Sequence, residues 1–179
     1  MDQLIYFYLE DSDYFVQQLT LKDIDIFQKL YGQCTDFIEL TYGHPPSPTI
    51  AREDFNDVPE GKTIEDLYIL GLFNPDNRLI GIIKAVRYYP DNKTWWIGLM
   101  MLNPQHRKKG IGTKFYQAFE HWILKQDAST ISLFVIKANQ LGLQFWNRMG
   151  FEIIREIPPR QFDNKTHEGY VVSRILKPT

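Results

Sequence analysis

Cysteine is almost missing from these 179 residues: Cys34 stands alone, so no disulfide can form within the chain. Long hydrophobic runs are missing too. The longest, Trp95 to Leu102, has eight residues, against the roughly 20 that a membrane helix needs. Met1 to Glu10 carries no basic side chain, unlike a secretory leader. The cytoplasm is therefore the expected location, and no membrane partner is expected. The histidines, at 44, 106, 121 and 167, are scattered, and no His/Cys/Asp set has metal-ligand spacing, so no metal is expected. The chain has no internal repeat. It has no stripe of bases interleaved with aromatics, which argues against a nucleic-acid partner.

What is present fits one globular domain over 1–179. Apolar residues make up 44% and charged residues 23%, enough for a real core. The net charge of −2 hides a split: residues 1–60 hold 12 acids against 3 bases, and residues 61–179 hold 10 acids against 17 bases. The first part suits a cation and the second a polyanion.

Apolar spacing from Leu21 to Tyr42 predicts one bent helix or two short ones, broken near Gly32. Phe15–Thr20 reads as a short strand. Leu67–Phe73 and Leu79–Val86 read as strands joined by Asn74-Pro75-Asp76-Asn77. Trp95–Leu102 and Ile131–Ile136 read as buried strands, and Gly112–Gln126 and Asn139–Met149 as helices, the second ending at Gly150. Phe151–Ile157 and Tyr170–Leu176 close the chain as strands, and the proline pairs at 45–48 and 158–159 read as loops. The fold class is α/β, with a mixed sheet flanked by helices.

The informative stretch runs from Met100 to Thr113. A buried strand ends, the basic turn Arg107-Lys108-Lys109 follows, and a helix opens on Gly110-Ile111-Gly112-Thr113. The first amides of a helix lack internal partners, and its N-terminus carries about half a positive charge. Glycines admit a ligand to the bare backbone, so the turn suits a pyrophosphate. It is not a dinucleotide fingerprint, because Phe115 stands where a third glycine belongs, nor a P-loop, which needs Gly-Lys-Ser/Thr.

Arg107-x-x-Gly110-x-Gly112 after an apolar strand resembles the coenzyme A signature of the GNAT superfamily of N-acetyltransferases. Asn139, followed by Phe145-Trp146-Asn147-Arg148-Met149-Gly150-Phe151, resembles that family's second motif. The resemblance implies a GNAT-like acyl-CoA N-acyltransferase fold, its central mixed sheet splayed between Trp95–Leu102 and Ile131–Ile136. It implies acetyl-CoA as co-substrate, with acetyl and pantetheine contacts at Met100, Met101 and Leu102. The pyrophosphate would lie on the amides of Lys108, Lys109, Gly110, Ile111, Gly112 and Thr113 beside Arg107, and Asn139 and Trp146 would line the cofactor cleft. Residues 66–179 would be the acetyl-CoA-binding core and 1–65 the acceptor-side wall.

The chain departs from the family's pattern at two positions. Trp146 stands where the family often has a tyrosine acid, and Phe134 where some members have a glutamate base. The base matters more. A lysine-like amine with a pKa of about 10.4 is neutral in roughly one molecule in 2,500 at pH 7, a cost of about 4.6 kcal/mol. Glu39, Tyr42 and His44, in the acidic first part, are the candidates for contacting the acceptor, with Glu39 and His44 for taking the proton; no catalytic residue is assigned outright. The expected activity is direct transfer of an acetyl group to an amine-bearing small molecule or peptide by a monomer or homodimer. The alternative is a coenzyme A-binding sensor without turnover.

Overall fold

The structure, a computed structural model, describes residues 4–177. Of the expected domain over 1–179, residues 1–3 and 178–179 lie outside the described residues. Among the described residues, eight strands form one mixed sheet in the order β1-β2-β3-β4-β5-β6-β8-β7. The strands are β1 (Tyr6–Tyr8), β2 (Phe15–Gln18), β3 (Leu67–Phe73), β4 (Leu79–Arg87), β5 (Thr94–Leu102), β6 (Thr130–Ile136), β7 (Glu152–Phe162) and β8 (Lys165–Ile175). The helices are α1 (Ile24–Gln33), α2 (Thr35–Tyr42), α3 (Ile50–Asp54), α4 (Ile111–Leu124) and α5 (Gln140–Arg148). The expected mixed α/β architecture is present.

Each face of the sheet carries its own core. On one face α4 and α5 set Phe115, Phe119, Ile123 and Trp146 against Trp95, Ile97, Ile131 and Leu133. On the other, α1 to α3 set Phe27, Leu30, Ile38 and Ala51 against Ile69, Phe73, Ile82 and Met101. Burying a large apolar side chain contributes about 1.5–3 kcal/mol, so the two cores hold the helices to the sheet. The stretch 21–42 is two helices, and the break falls at Cys34, two residues beyond the expected point. Its amide still donates to Leu30 and Tyr31, so α1 closes as α2 begins.

Three features differ from the sequence-based expectation. The strand β1 and helix α3 are only three and five residues long, too short for periodicity to reveal. The pair Pro158-Pro159, expected in a loop, lies inside β7. This strand is at the sheet edge and its register shifts between Ile157 and Arg160, the setting that tolerates residues without an N–H. Gly150 lies one residue past the cap of α5, at Met149, and takes the left-handed conformation with φ 84°.

The strands β5 and β6 form the sheet's parallel pair, and their pairing is brief. Thr94–Ile97 match Thr130–Leu133, and there the ladder stops. At that point β5 bulges: Lys84 of β4 pairs with Leu99 and Ala85 with Ile97, leaving Gly98 as the extra residue. The bulge shifts the alternation. Trp95 and Ile97 face the α4/α5 core, and beyond Gly98 it is Met100 and Leu102 that pack against that core. Meanwhile β6 pairs with β8 along its whole length, Thr130–Ile136 against Ile175–Gly169. The two strands therefore diverge from Gly98 onward.

Gly169 of β8 lies beside this divergence. A Cβ there would stand 2.4 Å from the Val135 carbonyl oxygen and 2.5 Å from the Phe134 ring. Gly169→Ala is expected to lower stability by about 1–3 kcal/mol through overpacking. Urea unfolding should show a lower midpoint with an unchanged slope.

Candidate functional site

The diverging strands enclose a cleft of about 150 Å³. Gly98, Leu99 and Met100 of β5 form one wall and Leu133, Phe134, Val135 and Ile136 of β6 the other. Asn139 and Trp146 line it from the α5 side, and Phe37, Thr41, Tyr42 and Phe162 from the α2 side. A larger hollow of about 600 Å³ lies between β1 and α4, but it contains none of the predicted site residues and none of the strand divergence.

The backbone of β5 is the chemically distinctive wall. The Asn103 amide donates to Ile80 at 2.8 Å, toward β4. The alternation of an antiparallel ladder then turns Met101 and Leu99 toward β4, and Met100 and Leu102 away from it. The Leu102 carbonyl accordingly receives Arg107 Nε at 2.8 Å. Met100 presents its backbone groups to the cleft, where β6 has already left. An extended ligand can pair with this edge as an added strand.

At the end of β5 the turn reaches α4. Lys108 and Gly110 take left-handed φ values of 60° and 78°, and Gly110 caps the helix. Gly112 is different. A Cβ there would make only ordinary contacts, 3.7 Å to Phe145 and 3.8 Å to Leu102, so the protein itself does not require a glycine at this position. Bare amides at the start of a 14-residue helix are a seat for an anion. Lys108 and Lys109 are exposed beside it. Arg107 is turned elsewhere: its Nη atoms bond the Asp36 carboxylate of α2 at 2.5 and 3.1 Å. Among the described residues, no group of three His, Cys, Asp or Glu side chains is placed to hold a metal.

The other predicted residues divide. Asn139 both caps α5, accepting the Gly142 amide at 2.9 Å, and lines the cleft. Trp146 is a packed wall, only 7% exposed, edge-on to Tyr116 and Phe151 with ring centroids 5.6 and 5.0 Å away. Met100 lines the cleft, while Met101 is buried in the opposite core. Of the three acceptor-side candidates, Tyr42 lines the cleft. Burial, together with the charges of Asp54, Asp163 and Asp57, pushes its hydroxyl above the usual tyrosine range. Glu39 is exposed and does not line the cleft. His44 bonds Asp163 at 3.1 Å and sits 6.1 Å from the Tyr42 ring, and it does not line the cleft. Backbone contact with Pro45 and then Asp163 raise its pKa.

Sequence reasoning missed the tip of the β7–β8 hairpin. The Asn164 amide donates to the Tyr42 carbonyl at 3.0 Å, and His167 Nε2 lies 2.9 Å from the Thr41 carbonyl. Phe162 stacks on Phe134, centroids 6.0 Å apart, and Arg160 lies 4.4 Å from the Phe134 ring. The hairpin thus reaches across to α2. Its only sequence signal, the Asp163-Asn164 turn, says nothing about what it touches.

Comparison with known proteins agrees with this geometry. Residues 27–151 match the model of the acetyltransferase (GNAT) family, and the chain belongs to that family. No curated protein matches it in sequence. Among solved structures, it is similar to an acetyltransferase from Thermus thermophilus, with TM-score 0.76 and 15% identity over 91% of this chain and 97% of that one. It is also similar to the Salmonella typhimurium acetyl transferase that modifies the N-terminal serine of ribosomal protein L7/L12, with TM-score 0.78 and 14% identity over 97% and 100% of the two chains. A ribosomal L7/L12 alpha-N-protein acetyltransferase in complex with coenzyme A gives TM-score 0.74 at 13% identity over 97% and 98%. At these identities the likeness is one of fold.

The packing of Trp146 defines a test of its role. Trp146→Phe keeps a ring in the wall and is expected to leave acetyl transfer within several-fold, whereas losing a general acid typically costs 10²–10⁴-fold. Trp146→Ala is expected to cost about 3–5 kcal/mol of stability. Turnover at saturating acetyl-CoA, alongside a melting curve, checks both.

Proposed function

We propose that the protein is an acetyl-CoA-dependent N-acetyltransferase that acts by direct attack. One observation carries the reading: the unpaired edge of β5 runs into a helix N-terminus whose second position, Gly112, is a glycine although a Cβ there would make only ordinary contacts. The pantetheine arm adds to this edge through Met100, and the pyrophosphate takes the amides of 108–113. Residues 1–65 form the acceptor-side wall and 66–179 the donor core.

The acceptor nitrogen attacks the thioester carbonyl carbon, the carbon–sulfur bond breaks, and the products are an amide and free coenzyme A. Backbone N–H groups of β5 polarise the carbonyl as oxyanion donors. Tyr42 keeps its proton at neutral pH and serves as a donor, not as a base. The amine's proton leaves through water to solvent, and the departing coenzyme A thiolate takes its proton back from solvent, since Asp54 and Asp57 are held by Lys84. The acceptor is a small amine or a peptide amine, approaching between α2 and the hairpin tip. A second reading, a coenzyme A-binding sensor without turnover, draws on Phe134 and Trp146, aromatic at both positions where the resemblance leads one to look for an acid or a base. Release of free thiol from acetyl-CoA against a panel of polyamines, aminoglycosides, amino acids and peptide N-termini separates the two. Binding with no release across the panel favours the sensor.

Two variants test the donor seat. Gly112→Ala improves helix propensity by up to about 1 kcal/mol and meets only ordinary contacts, so it should fold at least as well as the parent. It is expected to weaken acetyl-CoA binding at least tenfold, and Gly112→Val to abolish it, by calorimetric titration. Undiminished binding by folded Gly112→Val contradicts the seat. Lys108→Ala with Lys109→Ala should weaken binding more at low salt than at high salt, because exposed charges act through a screened field. A loss independent of salt points to a different cause.

A further inference from the structure

The motif arginine of a pyrophosphate turn is expected to face the pyrophosphate. Here Arg107 faces α2. Its Nε holds the Leu102 carbonyl at 2.8 Å, and its two Nη atoms grip Asp36 as a fork at 2.5 and 3.1 Å. A second side chain of the same turn does likewise: Asn103 Nδ2, largely buried, donates to Gln33 Oε1 at the end of α1 at 3.0 Å. Two side chains of the turn therefore grasp the α1–α2 elbow, at Gln33 and Asp36, about 70 residues away in sequence.

The helix that is grasped needs the help. α2 has eight residues, and its N-cap position, Cys34, supplies no side-chain hydrogen bond. Two turns without a cap are marginal by themselves. Its C-terminal end is held by Asn164 and His167 of the hairpin, and its N-terminal end by Arg107. Between these holds it presents Phe37, Thr41 and Tyr42 to the cleft.

We infer that Asp36 and Arg107 are a pair of positioning residues: Arg107 serves the acceptor wall and leaves the pyrophosphate to the backbone amides, Lys108 and Lys109. The inference rests on the donor site proposed above. The fork matters more than the charge, because lysine supplies a point charge without the bidentate geometry. The low pKa that Arg107 imposes on Asp36 fits a bonded carboxylate.

The test compares Asp36→Asn, Arg107→Lys, the double variant and Asp36→Glu with the parent by two measurements: hydrogen exchange of the α2 amides in the free protein, and titration with coenzyme A. Asp36→Asn and Arg107→Lys are each expected to raise exchange across residues 37–42 by tenfold or more, with α4 unchanged. The double variant should be no worse than either single one, since both remove the same contact. Asp36→Glu should restore protection. Coenzyme A affinity should stay within threefold in Asp36→Asn or become tighter, because the guanidinium is released and not lost. Arg107→Lys separates the clamp from a helix-dipole effect of Asp36, which it leaves in place. Unchanged α2 exchange in Arg107→Lys overturns the proposal, as does a tenfold loss of coenzyme A affinity in Asp36→Asn. If the parent itself does not bind coenzyme A, the donor reading fails, while the exchange data still decide whether the clamp holds α2.

Discussion

The parallel pairing of β5 and β6 lasts only from Thr94 to Ile97, and the rest of the site depends on how it ends. Each strand has a stronger commitment elsewhere. β6 is paired with β8 along its full length, and β5 follows β4 down to Leu102. Gly98, as the bulged residue, bends β5 and moves its side-chain alternation by one, so that Met100 and Leu102 take up the face that Trp95 and Ile97 held before it. Backbone groups inside a fold carry a cost unless they are paired. Along this edge one carbonyl is satisfied by Arg107 and the next groups face the cleft. An interrupted ladder therefore leaves an open edge that a neighbouring strand would otherwise occupy.

The two faces of the sheet bring different chemistry to this gap. The α4/α5 face supplies a helix N-terminus, two exposed lysines and an aromatic wall around Trp146. The α1–α3 face supplies the short helix α2, closed over by the hairpin tip. Beneath it lies a charged cluster. Lys84, 5% exposed, bonds Asp54 at 2.7 Å and Asp57 at 2.5 Å, and the Tyr31 hydroxyl donates to Asp54. A lysine this buried needs such partners, and it has two, so either carboxylate still answers its charge if the other is removed. The acidic surplus of residues 1–60 is thereby partly committed: Asp36, Asp54 and Asp57 all answer cations of the second part of the chain. The charge split describes internal pairing as much as it describes a partner.

The two motifs and their order were legible because each rests on local physics. Glycine at 110 is demanded by a left-handed turn, and Asn139 is a cap bonded three residues ahead. The strand around Ile97 announced itself as an apolar run, as strands covered on both faces do, and those around Leu70 and Ile83 by the turn Asn74-Pro75-Asp76-Asn77 between them. The pair Pro158-Pro159 misled because a proline excludes a central strand but not an edge, and only the assembled sheet says which strand is the edge. Likewise β1 and α3 were invisible because three and five residues complete no periodic pattern.

The sequence by itself determined the class of sheet and the position of the glycine-bearing strand–turn–helix stretch at 100–113, because these are set by side-chain periodicity and by backbone conformations that only certain residues adopt. The tertiary structure alone decided which of Glu39, Tyr42 and His44 reach the cleft. It brings Tyr42 to the lining, leaves Glu39 outside and ties His44 to Asp163 of the hairpin. It also set the Arg107 side chain against Asp36. The physical reason is range. A cap or a left-handed glycine is settled within a few residues, whereas the direction of a long side chain is settled by whichever charge the fold carries to it, here from 71 positions away.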